Sequence, residues 1–352
     1  MRILVTGGAG YIGSVVVEEL LHVGHELTVY DSLTNGYREA ISPDAEFVQA
    51  DLLDCERLKA TLRQRNIEVV IHTASDSLET ESVQHSAKYY HQNLLADLSL
   101  LGVMKDSQVT RLIFSSTAAV YGELYWQRIE EADPKDPTTP RGERKLAFER
   151  ALHWHERAYG LRYATLRYFN VAGATARCGE WHSAETHLIP LLLQVAAGRR
   201  SHLEIYGDDY PTRDGTCVRD YLHVVDLARA YRLALSILNE RSAVYNVGCG
   251  GDGFTVKEVI SCAIKVTGKE IPARISSRRR EDPAILVASS KLIQQELGWS
   301  PENQGLENII QSAWDWLQAH PNGYQIAAAA GSARVAAIRE LYGRKSNGAG
   351  HR

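Results

Sequence analysis

Two groups along this chain, Thr117 and Lys145, have the types to take part in proton transfer, with Arg141 as a fixed charge beside Lys145. Thr117 closes an apolar run through Ser115 and Ser116, and Lys145 follows Arg141 by four residues. On a helix four residues make about one turn, so Arg141 and Lys145 share a face while Glu143 points elsewhere and is a poor base. A guanidinium stays protonated and only donates hydrogen bonds and charge, whereas an amine whose pKa is lowered, or a water held by Thr117, can pass a proton. Near the start, Gly7-Gly8-Ala9-Gly10-Tyr11-Ile12-Gly13 follows an apolar run and opens a helical one. In that context a glycine turn brings a pyrophosphate onto helix N–H groups. Asp31 ends the second strand-like run, where a carboxylate accepts hydrogen bonds from both adenosine ribose hydroxyls and repels a 2′-phosphate, which favours NAD over NADP. Asp51-Leu52 ends a further run and either meets the adenine edge or caps a helix.

Such groups need a scaffold, and the first half supplies the pattern of one. Short β-branched runs at 3–6, 26–31, 46–49, 69–72, 111–115 and 162–168 alternate with longer segments of helical spacing such as 12–22 and 89–104. The expected fold is α/β: a Rossmann-type, doubly wound parallel sheet with a smaller C-terminal α/β substrate lobe. The pattern divides the chain into an NAD-binding domain at 1–169 and a substrate lobe at 170–324, interleaved with the first and carrying helices near 187–197 and 224–238. Residues 325–352 form an alanine- and glycine-rich tail, expected to be partly disordered, with a short helix around 333–342.

Composition narrows the partners. With 352 residues, 44% hydrophobic and 23% charged, the chain can bury a real core. A net charge of -4 gives no electrostatic case for nucleic acid or an anionic membrane, so a small molecule is the better ligand. The five cysteines are odd in number, widely spaced and free of any C-x-x-C pair, which indicates neither a disulfide framework nor a zinc site and leaves no metal expected. The apolar start is too short for a signal peptide and no later run approaches a membrane span, so a cytoplasmic protein is expected.

The glycine spacing, Asp31, the Ser-Ser-Thr run and Lys145 resemble the extended short-chain dehydrogenase/reductases. Three later segments narrow the match: the run from Arg167 through Asn170 to Ala174, His187-Leu188-Ile189-Pro190, and the long block from Ile205 to Val224. These resemble the UDP-glucose 4-epimerase family, and the resemblance covers residues 1 to about 324. It implies that NAD stays bound while a sugar C4 hydroxyl is oxidised to a ketone, the keto sugar rotates, and hydride returns to the opposite face. Carried over residue by residue, it implies Gly7, Gly10, Tyr11, Ile12, Gly13, Asp31, Asn35, Asp51, Leu52, Thr73, Asn93, Lys145 and Tyr168 for NAD. Thr117 takes the position that hydrogen-bonds the reacting hydroxyl, and Asn170, His187, Arg219, Arg279 and Asp282 fall where the family holds a UDP-hexose. A homodimer through helices near 90–105 and 146–159 is implied as well. The residues alone leave other readings open: Arg278-Arg279-Arg280 as a solvated charge run, His187 as a loop histidine bonded to backbone, Asn170 as a loop cap, and Tyr121 as packing.

Three positions depart from the family pattern. Arg141 stands for the family's tyrosine, Ser77 for a lysine near the cofactor phosphates, and Glu281 for a glycine beside the substrate diphosphate. No other tyrosine lies four residues before a lysine. An epimerase with rewired proton transfer, a redox-neutral dehydratase or epimerase on a different sugar or nucleoside, and a silent NAD/nucleotide-sugar binding protein are the three readings. Ala118-Ala119 after Thr117 argues against a 4,6-dehydratase, which commonly places an Asp-Glu pair there.

Overall fold

Odd and even positions of the first strands bury themselves in different places, which is the signature of a sheet covered on both faces. In β1 (Arg2–Thr6), Ile3 and Val5 enter one core and Leu4 the other. The same alternation runs through β4 (Val69–His72) and β5 (Arg111–Thr117), where Ile71 and Ile113 face one way and Val70, Leu112 and Phe114 the other. With β2 (Glu26–Asp31), β3 (Glu46–Gln49), β6 (Arg162–Tyr168) and the strand Ala243–Val247 they make a seven-stranded sheet. Its order is Ala243–Val247, β6, β5, β4, β1, β2, β3, and every pairing is parallel. The computed structural model describes residues 1–75, 86–123, 128–279 and 282–324, with side chains described from residue 93 in the helix Ser86–Asp106. Ser77, Glu281, Arg280 and the tail from 325 lie outside the described residues.

One face of the sheet is covered by the helices Tyr11–His22 and Val224–Ala234, the other by Cys55–Gln64, Ser86–Asp106 and Pro140–Tyr159. Fully buried Phe114 and Phe148 pack edge to face with ring centroids 4.6 Å apart on that second side. Each such side chain contributes about 1.5–3 kcal/mol by leaving water. A third core, on the substrate side, is built by the helices Leu188–Ala196, Val256–Thr267 and Leu306–Ala319. The strand order reverses between β1 and β4, and a crevice at the carboxyl ends of those strands is where open α/β sheets take ligands.

One local expectation is corrected, and one of two open readings is removed. The helix expected over 224–238 ends at Ala234 and gives way to a tight turn, Ser236–Asn239, where Ser236 Oγ donates 2.7 Å to the Leu233 carbonyl and competes with the helical ladder. Asp51 does not cap the following helix: Asp54 does, accepting from Arg57 N at 3.0 Å, while Asp51 turns its carboxylate to Leu53 N at 2.8 Å.

Candidate active site

A cleft of about 850 Å³ opens at the carboxyl ends of β1 and β4 and runs across to the substrate-side core. Gly7, Gly10, Tyr11, Ile12, Gly13, Asp31, Asn35, Asp51, Leu52, Thr73 and Asn93 line one end; Thr117, its strand partner Tyr168, Arg141 and Lys145 line its middle. Asn170, His187, Arg219, Arg279 and Asp282 line the other end. Residues separated by up to 275 positions in sequence thus converge on one space.

The first end is shaped for a pyrophosphate. A Cβ on Gly13 would sit 2.2 Å from the Gly7 carbonyl oxygen, so only glycine lets the turn close under the helix Tyr11–His22. Gly10 precedes that helix without a side-chain cap, leaving first-turn N–H groups for an anion. Asp31 accepts from Ala9 N at 3.0 Å and Leu33 N at 2.8 Å, which aims its carboxylate across the turn. Burial raises its pKa, and those two N–H groups oppose the rise. These features fit a dinucleotide.

At the middle, the helix Pro140–Tyr159 starts on Thr139, whose hydroxyl accepts from Gly142 N at 3.2 Å, with Pro140 in the first turn. A Cβ at Gly142 would lie 2.4 Å from the Ala119 carbonyl oxygen. Glycine there lets the helix start close on the Thr117–Ala119 turn, placing Arg141 and Lys145 beside Thr117. Lys145 Nζ donates to the Ser115 carbonyl at 2.7 Å and lies 4.6 Å over the Phe114 ring. Burial, joined by the Arg144 and Arg141 cations, pushes its amine well below the ordinary lysine range. Arg141 Nε is buried without a hydrogen-bond partner in the protein. Exposed Glu143 lies off the cleft, as its place on the helix requires. Neither nearby phenol substitutes for a base: Tyr121 donates to Asn246 Oδ1 at 2.7 Å, and burial pushes it up to about 12. Burial raises Tyr168 too.

Behind Lys145 lies a charge network that sequence reasoning missed. His72, fully buried, contacts Thr6 Oγ1 at 2.7 Å through Nδ1 and Asp97 Oδ1 at 2.9 Å through Nε2. A carboxylate can only accept, so Nε2 carries the proton and the Thr6 hydroxyl donates to Nδ1. Asp97 also pairs with fully buried Arg144, which reaches Ser75 Oγ at 2.6 Å. Burial works to raise Asp97, yet Arg144 and His72 hold it below the usual carboxylate range. The signal available was the i, i+4 relation of Asn93 to Asp97, which puts both on the cleft.

The far end carries two arginines. Arg219 is buried, pairs with Asp282 and donates to its own strand at Val218 O, 2.8 Å away. Arg279 stacks 4.0 Å over Tyr206 and lines the cleft, whereas Arg278 stacks 4.1 Å over Tyr210 and pairs with Asp209. The arginine run is therefore divided by its partners. Asn170 begins a strand, Asn170–Ala172, and is not a loop cap. His187 precedes the helix Leu188–Ala196 and has carboxylate neighbours, Glu180 and Glu185, in place of a backbone partner.

The chain matches the model of the NAD dependent epimerase/dehydratase family over residues 3–248. It is 47% identical over 328 residues to a UDP-glucose 4-epimerase of Lacticaseibacillus casei, spanning 92% of this chain and 99% of that protein. A UDP-glucose 4-epimerase of Halalkalibacterium halodurans is 49% identical, spanning 92% and 98%. A solved UDP-glucose 4-epimerase superposes with a TM-score of 0.90 at 48% identity, covering 93% of this chain and 100% of that one. Another, from Bifidobacterium longum in complex with NAD+ and UDP, gives 0.87 at 35% identity, covering 92% and 100%.

Proposed function

The chain belongs to the NAD dependent epimerase/dehydratase family, and from that premise we propose that its cleft interconverts UDP-hexoses that differ in configuration at C4. It is an NAD-dependent nucleotide-sugar epimerase with an α/β Rossmann-type fold. The observation that carries the UDP-hexose reading is one continuous cleft joining a dinucleotide cradle, through Thr117 and Lys145, to an arginine-bearing wall.

In this reading NAD, when bound, supplies a reversible two-electron acceptor for the sugar carbon. Gly7, Gly10 and Gly13 with the first-turn N–H groups hold its pyrophosphate, and Asp31 holds the adenosine ribose. Asp51 and Leu52 border the adenine, Asn35, Thr73, Asn93 and Tyr168 border the rest, and Lys145 reaches the nicotinamide ribose. Thr117 Oγ1, already accepting from Ala119 N at 3.2 Å, has its proton free to orient the C4 oxygen. With Arg141 unable to release a proton, the depressed amine of Lys145 takes the proton from that hydroxyl and returns it. Arg141 stays cationic beside it and stabilises negative charge on the oxygen.

Arg219 and Arg279 hold the diphosphate by charge-assisted hydrogen bonds, with Asn170, His187 and Asp282 around the nucleotide. Supplied with UDP-galactose, the protein should accumulate UDP-glucose, and Arg219→Ala should need roughly 10–100-fold more sugar nucleotide for the same rate. Product analysis of both proteins reads this. Failure of the wild type to convert either sugar would remove the C4-epimerase reading, and an unchanged requirement in the variant would remove Arg219 from the diphosphate.

Two further proposals concern state and place. Leu95, Leu98 and Trp154 expose large apolar side chains on the packed helices Ser86–Asp106 and Pro140–Tyr159, which favours a homodimer through that pair. Light scattering should give twice the 39.2 kDa chain mass, falling to one chain for Trp154→Glu; a monomeric wild type would end the idea. Five unpaired cysteines suit a reducing cytoplasm, and no helix among the described residues is long and apolar enough to cross a membrane.

A further inference from the structure

We propose that Glu180, His182, Glu185 and His187 form a site for a divalent transition ion of the zinc class, bracing the substrate-side wall of the cleft. The four residues follow an E-x-H-x-x-E-x-H spacing, and one ligand atom from each lies within 4.8 Å of all the others. His187 Nδ1 is 2.8 Å from Glu180 Oε1 and 3.2 Å from Glu185 Oε1; His182 Nδ1 is 3.1 Å from Glu185 Oε2 and 3.6 Å from Glu180 Oε1. Bonds of about 2.0–2.2 Å in a tetrahedron place neighbouring donors roughly 3.4 Å apart, within the spread of these separations.

Without an ion, His182 Nδ1 bonds Glu185 Oε2 at 3.1 Å, a contact that an ion between the two atoms would replace, while the second imidazole is left unaligned. His187 Nδ1 is buried close to two carboxylate oxygens, yet makes no aligned hydrogen bond to either. A nitrogen and oxygens aimed at a common centre give that arrangement. Two imidazoles with two carboxylates suit zinc, cobalt or nickel rather than magnesium or calcium, and their charge is balanced by a dication.

The surroundings hold the donors in place. Glu185 Oε1 accepts from Thr186 N and His187 N, both at 2.8 Å, which fixes the carboxylate with Oε2 turned to His182. The loop is anchored where Tyr324 Oη bonds both Gly179 N and Gly179 O at 3.0 Å, and Trp181 packs on Trp316 with centroids 6.5 Å apart. His182 and His187 reach the cleft, which provides an entry path. Four protein donors leave no open position, so the ion braces the wall and does not activate water.

The test uses the NAD-loaded protein, stripped with a chelator and titrated with zinc or cobalt alone. The expected result is a single ion per chain by elemental analysis, an intense tetrahedral cobalt absorption, and a rise in Tm with zinc. His182→Gln and Glu180→Gln, checked for unchanged NAD content, should each weaken binding by at least about 100-fold, since even residues behind a ligand cost 10–100-fold. A wild type that retains no zinc and shows no Tm shift would leave only a quartet of ion pairs and overturn the proposal. So would equal affinity in both variants; if the variants do not fold, the wild-type stoichiometry and cobalt spectrum decide.

Discussion

Arg141→Tyr should raise the interconversion of UDP-galactose and UDP-glucose by about two orders of magnitude or more, the usual worth of a positioned acid/base group. The substitution puts a phenol on the same helix face as Lys145, one turn away, in the part of the cleft that Thr117 also lines. A phenol beside a buried amine can give and take a proton near neutral pH, which the guanidinium cannot. Removing Arg141 also removes one of the cations that depress Lys145, so the amine holds its proton better and steadies a phenolate. Arg141→Phe is the control, because it supplies the ring without the hydroxyl and should give no gain. Product formation by the three proteins, each with NAD bound, reads the prediction. A Tyr variant no faster than the wild type would mean that the pocket already moves the proton by a route a phenol cannot improve.

Lys145→Met should abolish conversion in the wild-type background, lowering kcat by at least about two orders of magnitude. In the absence of a tyrosine at 141 the amine is both the proton carrier and a contact to the nicotinamide ribose in the proposed mechanism. Lys145→Arg should be equally slow, since a guanidinium restores charge but no titrating group. The pH profile gives the sign independently. Burial and the two arginines lower the Lys145 pKa, so the neutral amine that accepts the proton forms at lower pH than in an exposed lysine. Turnover should therefore climb as pH rises through that depressed value and then level off. A pH-independent rate, or a Met variant with near wild-type kcat, would clear Lys145 of the proton-carrying role.

Much of this site could be read before any coordinates because its local codes are strong. Gly13 is required by a contact with the Gly7 carbonyl only six residues away, and period-2 burial in β1, β4 and β5 identifies a two-faced sheet. The strand boundaries at 26–31, 46–49, 69–72 and 162–168 coincide with the observed strands for the same reason. Capping was less legible. Asp51 and Asp54 are the same residue type three positions apart, and only the backbone path shows that Asp54 meets the helix N–H groups.

The parallel sheet, the tight Gly7–Gly13 turn and the anomaly at Arg141 were legible from the chain, because each depends on residue type and short-range spacing. Tertiary structure alone decided which charges meet. It buried Arg144 against Asp97 and His72, and sent Arg278 to Asp209 but Arg279 to the cleft. The physical reason is that a charge acts over a few ångströms, and partners 47 or 69 residues apart are brought that close only by packing.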